Sequence, residues 1–166
     1  MKRNLLLLFI AASLLFSCSS DKDDIIQDEN SIIGSWALTA LEIDDSTASD
    51  DEKNARDILN FLSAIDCSIM TLTFNEDLSV ITENSGNYLE INVNPGGTGL
   101  DVPCPTQKDT YVDSYTFEAG VLTYVDEDQV ETTVNVEFSG NTMRVNATEF
   151  DFTNFDDGGV LIFTRQ

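Results

Sequence analysis

The chain has 166 residues, of which 30 are Asp or Glu, 8 are Lys or Arg and none is His, and 42% are hydrophobic, so the formal net charge is −22. That length and apolar content suit one domain around one core. An acid excess of this size repels polyphosphate and anionic lipid head groups, which disfavours a nucleic-acid binder. Without an imidazole the chain has no Ser-His or Cys-His nucleophile pair and no histidine zinc ligand.

At the N-terminus, Lys2 and Arg3 precede a twelve-residue apolar run over positions 5–16. It falls short of the roughly 20 residues that span a bilayer as a helix, and it reads as a secretory signal peptide. The run ends in Leu15-Phe16-Ser17-Cys18, which resembles the lipobox of bacterial lipoproteins. The resemblance implies cleavage after Ser17 and a diacylglycerol on the thiol of Cys18, so residues 1–17 are expected to be the signal peptide. Loss of Lys2 and Arg3 then takes the net charge from −22 to −24. Two or three acyl chains anchor stably, whereas one binds only marginally. An ordinary secreted chain with an incidental cysteine is the alternative.

Residues 18–31 begin with this cysteine and continue through Ser19-Ser20-Asp21-Lys22-Asp23-Asp24 without any regular period. They read as a solvated, acidic tether. The acidic cluster also resembles the signal by which some Gram-negative bacteria send lipoproteins to the outer face of the outer membrane. A plain charged spacer explains it equally well.

From position 32 to 166 the dominant hydrophobic period is two, as in an antiparallel all-β domain. Nine strand candidates cover residues 33–43, 67–74, 78–82, 88–93, 111–117, 121–125, 130–138, 142–147 and 160–165. Turns are expected at Asn75-Glu76-Asp77, Glu118-Ala119-Gly120 and Ser139-Gly140-Asn141. Short links between successive strands favour an up-and-down barrel of about eight strands, with a Greek-key sandwich as the alternative. One helix is expected between the first two strands. Ser49 and Glu52 have capping-box spacing, and Ala55, Ile58, Leu59, Leu62 and Ile65 form a helical apolar stripe. The stripe packs on the outside or end of the sheet, or forms a lid over a barrel mouth.

With Cys18 assigned to the lipid, Cys67 and Cys104 remain as an even pair in an exported chain, and a disulfide is expected rather than two buried thiols. Closing that loop contributes up to about 4 kcal/mol in the chain-entropy picture. The stretch 94–107 holds all three prolines, at 95, 103 and 105, together with Gly96, Gly97 and Gly99, and is long for a connection in a compact domain. It is a functional loop or a disulfide-pinned structural one.

Gly34-Ser35-Trp36 at the start of the first strand resembles the glycine-any-tryptophan motif of lipocalins, in which the tryptophan closes the barrel base. The lipobox, the helical insertion before a cysteine-led strand, the segment Leu72-Thr73-Phe74-Asn75-Glu76-Asp77-Leu78-Ser79-Val80 and the later Ser114-Tyr115-Thr116-Phe117-Glu118-Ala119-Gly120-Val121-Leu122-Thr123 add to it. Together they are similar to lipocalin-like domains of Gram-negative surface lipoproteins over residues 32–166. That family's hairpin usually has Asp-Gly where Asp77-Leu78 stands. The resemblance further implies that Arg165, near the last strand's end, stacks on Trp36; a solvent-facing terminal arginine is the alternative.

Thirty carboxylates guarantee close acid pairs by chance, so such pairs do not by themselves identify a glycosidase, and no catalytic, metal or cofactor residues are assigned. The oxygen-rich turns Asp126-Glu127-Asp128 and Asp156-Asp157-Gly158 lack the spacing of a twelve-residue calcium loop. Two functions of different kinds follow. In the first, an outer-membrane-anchored barrel, on the inner or outer face of that membrane, holds a small hydrophobic or amphipathic ligand in a cavity lined by Met70, Leu72, Phe74, Tyr115, Phe117, Val134, Val136 and Phe138, with Trp36 at its base. In the second, these side chains fill the barrel, and the domain is a non-catalytic surface interaction or spacer module.

Overall fold

A computed structural model of the chain describes residues 31–93, 100–125, 130–149 and 158–166. The signal peptide, Cys18, the tether up to Asn30, residues 94–99 of the proline- and glycine-rich stretch and the acidic turn at 126–128 lie outside the described residues, as do Asp156 and Asp157.

The strands, in chain order, are β1 (Gly34–Glu42), β2 (Met70–Phe74), β3 (Ser79–Asn84), β4 (Asn92–Val93), β5 (Leu100–Asp101), β6 (Asp109–Glu118), β7 (Val121–Val125), β8 (Glu131–Ser139), β9 (Thr142–Asn146) and β10 (Val160–Arg165). Eight of them close a barrel in the order β1-β10-β9-β8-β7-β6-β3-β2, every neighbour antiparallel. One helix, α1 (Asp50–Ala64), stands between β1 and β2. This is the expected up-and-down barrel, and closure removes most of the open edge that a sheet of this length would expose.

Residue 88–93 departs from expectation. The alternation of Leu89, Ile91 and Val93 suggests a barrel strand, yet the chain forms a 3₁₀ turn over Gly86–Tyr88 and only a two-residue strand, β4, paired with β5 in a separate ribbon. The reason is topological: β3 pairs directly with β6, from Ser79 opposite Ser114 to Asn84 opposite Asp109, so no slot in the barrel is left for the intervening segment.

The register shows which side chains point inward. Trp36 lies opposite Leu72 and Arg165, Leu72 opposite Thr82, Phe74 opposite Val80, Phe117 opposite Leu122, Leu122 opposite Val134, Phe138 opposite Met143, and Met143 opposite Phe163. In β1 the pairing shifts between Leu38 and Ala40, so the inward series runs Trp36, Leu38, Leu41. A bulge of this kind bends the strand and resets its alternation by one residue. Thr39, at the shift, bonds through its hydroxyl to the Ile162 carbonyl and the Thr164 hydroxyl.

The helix starts as its sequence dictates. The Ser49 hydroxyl accepts from the Glu52 amide at 3.1 Å, and the Glu52 carboxylate accepts from the Ser49 amide at 2.6 Å. Leu59 and Leu62 are buried, with Ala55 and Ile58 packed beside the core, and α1 lies along β1, where Ser63 donates its hydroxyl to the Thr39 carbonyl. Ile65 is the exception in the stripe. It caps the helix and stands about half exposed, because the chain leaves the helical path at Asp66, whose φ is +55°. The Asp66 amide donates to the Ser63 carbonyl and the Cys67 amide to the Leu62 carbonyl, a Schellman turn that delivers Cys67 to the core. Cys67 is bonded to Cys104, with Cα atoms 5.8 Å apart. The bridge ties the β5–β6 connection to the end of α1, and Val102 is buried next to it.

Candidate functional site

At one end of the barrel the chain builds a floor. Trp36 is fully buried and donates its indole N–H to the Ile32 carbonyl at 2.7 Å, so its one polar atom is satisfied. The Arg165 guanidinium carbon lies 4.2 Å from the Trp36 ring centroid. The same guanidinium donates from Nη1 to the Ile33 carbonyl at 2.7 Å and from Nη2 to the Ser31 carbonyl at 2.6 Å. Arg165 therefore clamps the chain that enters β1 against the last strand, using the planar fork that distinguishes arginine from lysine. Gly34 explains why the motif needs a glycine. Its φ is +126°, and a Cβ there would sit 2.9 Å from Arg165 Nη1. Position 34 must combine a glycine-only backbone with the absence of a side chain.

Above the floor the aromatic rings interlock. Trp36 and Phe138 have centroids 5.5 Å apart, Phe138 and Phe117 meet edge to face at 5.8 Å, and Phe74 and Tyr115 do so at 5.0 Å. The Tyr115 hydroxyl donates to the Asn75 carbonyl at 3.0 Å. Burial, reinforced by the Asp77 charge, pushes the Tyr115 phenol above its ordinary range.

All eight side chains named as cavity lining point into the barrel. Met70, Leu72, Phe74, Tyr115, Val134 and Val136 are buried in one cluster, and Phe117 and Phe138 pack against it. Sequence reading omitted their partners Leu38, Leu41, Val80, Leu122, Met143, Val145, Leu161 and Phe163, which belong to the same core or its contacts. The period-two alternation of β9 carries that signal for Met143 and Val145, whereas the continuous apolar run at 160–163 in β10 does not tell its two faces apart. A half-open apolar cleft lined by Leu72, Phe74, Val80, Thr82, Leu122 and Tyr124 holds about 30 Å³, room for about one water molecule.

Two larger clefts are open surface features. One, of about 410 Å³, runs beside the disulfide between Tyr88, Leu89, Pro103 and Pro105. The other, of about 440 Å³, lies between the end of β1 and the start of α1, near Glu42, Asp44 and Glu52. On the outer wall Arg144 grips Glu42 through both guanidinium nitrogens at 2.9 and 2.6 Å, and this hydrogen bonding holds the Glu42 carboxyl below its usual range. Glu42 is exposed and Arg144 about a third exposed, so solvent screening leaves the pair a small contribution to stability.

No family model, curated protein or solved structure matches this chain.

Proposed function

We propose that this chain is an outer-membrane lipoprotein, anchored through Cys18, whose lipocalin-like barrel is a non-catalytic interaction or spacer module with a filled interior. The lipobox and the acidic tether support the anchoring, and Gly34, Trp36 and Arg165 support the family likeness. One observation carries the choice between a filled and a hollow barrel: the side chains expected to line a cavity pack into one buried cluster or directly against it, with Trp36–Phe138, Phe117–Phe138 and Phe74–Tyr115 in ring contact. Small-molecule pockets run to about 300 Å³ or more, whereas the cleft among Leu72, Phe74, Val80 and Leu122 holds about 30 Å³.

Native mass spectrometry of the protein purified from its own cell envelope tests this reading. The expected mass is the processed chain with its acyl groups and nothing more. A further apolar mass that stays bound in the gas phase and leaves on organic extraction overturns the filled barrel in favour of ligand binding. Palmitate labelling tests the anchor independently: Cys18→Ala abolishes it, and undiminished labelling refutes lipidation at that thiol.

A further inference from the structure

The two ends of the disulfide stand in different surroundings. Cys67 is only 5% exposed and packs in the core just past α1, whereas Cys104 is exposed and forms part of the wall of the open cleft of about 410 Å³. Residues 87–90 bound that cleft on one side and residues 103–107 on the other, all of them described. Pro103 and Pro105 flank the exposed half-cystine. Neither ring carries an amide hydrogen, so in this run only Cys104 can donate a backbone bond, and the residue before each proline is held extended. Glu90 lines the cleft, and Asp101 and Asp109 bracket its 103–107 wall along the chain. The neighbouring Lys108 pairs with Glu83.

The bridge also lies outside the closure of the barrel. β3 pairs directly with β6, so residues 85–108 leave the wall after Asn84 and return at Asp109, and among the described residues β4 and β5 pair only with each other. Besides the bridge, this excursion is held by Leu89 and Val102 on the core, by the Ser85 amide donating to the Ile69 carbonyl, and by Asn87 and Tyr88 donating to the Asp109 carboxylate.

We infer that the Cys67–Cys104 bridge is a site of thiol–disulfide exchange, attacked at Cys104 by an uncharged or cationic dithiol, and that its reduction frees residues 85–108 while the barrel stays closed. Access decides which sulfur is attacked. The incoming thiolate bonds to Cys104 Sγ, the bond between the two half-cystines breaks, and its electron pair leaves on Cys67 Sγ, which takes a proton from water. The second thiol of the reagent then displaces Cys104 as a thiolate. The dithiol ends as a disulfide, and the bridge has gained two electrons. Charge selects the reagent. The attacking species is the thiolate, and the carboxylates around the cleft repel one that bears a further negative group and draw in one that bears an ammonium. Neither the lipid anchor nor the filled interior takes part in any of these steps.

Reduction of the native full chain by cysteamine, 2-mercaptoethanol and 2-mercaptoethanesulfonate tests it, each rate being divided by that thiol's rate on a small uncharged disulfide. The rate should rise linearly with thiol concentration. Peptide mass spectrometry after alkylation should find the thiol on Cys104 and the alkyl group on Cys67. At low salt the normalised rate of cysteamine should exceed that of the sulfonate by at least about tenfold, and in 1 M salt the gap should nearly close. Glu90→Gln should narrow the low-salt gap. Full reduction by dithiothreitol should leave Trp36 emission unchanged and speed amide exchange at Leu89 and Val102, with the β3–β6 ladder still protected. A rate that levels off at the unfolding rate means that the bridge opens only when the chain unfolds, and overturns the inference. A mixed disulfide on Cys67 overturns the assignment of the attacked sulfur, and equal normalised rates for the three thiols overturn the choice of reagent. Loss of the β3–β6 protection on reduction overturns the separate release of residues 85–108. None of these results alters the mass measurement that bears on the filled barrel.

Discussion

Replacing Arg165 by alanine removes three contacts at the barrel floor in one step. The stacked guanidinium over Trp36 is worth about 1 kcal/mol at a partly exposed site. Its two bonds to the Ser31 and Ile33 carbonyls would each add about 1.5 kcal/mol at the low end for charged donors. Water replaces part of the carbonyl bonding in the variant and the contacts are coupled, so the expected loss is about 2–3 kcal/mol rather than their sum. For a domain of this size that lowers the melting temperature by about 6–12 °C. Thermal unfolding followed by fluorescence measures it directly, because Trp36 is the single tryptophan of the chain. Arg165→Lys keeps the charge and loses the fork, so it should fall between parent and alanine variant. Gly34→Ala sharpens the argument. In the parent it combines a strained backbone with the 2.9 Å approach to Arg165 Nη1, whereas in the Arg165→Ala background only the backbone strain of about 1–3 kcal/mol remains. The double variant should therefore be more stable than the two single losses added together. An unchanged melting temperature and unchanged emission in Arg165→Ala, or strict additivity in the cycle, refutes the clamp.

Leu78 has φ +64° and stands 53% exposed in the β2–β3 turn, so Leu78→Gly relieves a left-handed strain of about 1–2 kcal/mol, part of which returns as unfolded-chain entropy. A net gain of about 0.5–1 kcal/mol in urea unfolding is expected, and a loss would refute the strain. Paired Cys67→Ser and Cys104→Ser substitutions should cost about 2–4 kcal/mol; two thiols that react without prior reduction would show that the bridge is absent. The Tyr115 phenol titrates higher when folded than when unfolded, so its contribution is complete below the unfolded value near 10 and is lost as pH climbs through the raised one. Tyr115→Phe should accordingly flatten the alkaline decline in stability above pH 10, and an identical decline in the variant would refute the burial argument. The acid side runs the other way: Glu42 titrates lower when folded, so its small contribution is present above the unfolded value and is lost as pH falls through the lowered one, and Glu42→Gln should remove only that increment.

Much of the wall was legible one residue at a time. Leu72 and Phe74 alternate with Thr71 and Thr73, and in the barrel they take the inner and outer faces that the alternation implies. Ser49 and Glu52 announce the helix start because a capping box is a local exchange of hydrogen bonds. Residues 88–93 show the limit of such reading. Their alternation is as good as that of the true strands, but whether a segment joins the barrel depends on whether its neighbours already pair, and β3 had taken β6. Ile65 failed for a related reason, since the apolar stripe continues in sequence after the backbone has turned away at Asp66.

Composition, period and cysteine number were sufficient to specify one antiparallel β domain, its helix and its bridge: the first two rest on contacts between near neighbours or on facing that a strand fixes for itself, and the bridge on the even pair of cysteines that remains after Cys18. How the inward side chains fit together and which segments enter the barrel were decided only by the tertiary structure. The first is a sum over side chains from eight strands far apart in the chain. The second depends on which strands have already paired, as β3 has with β6, which no single stretch of sequence encodes.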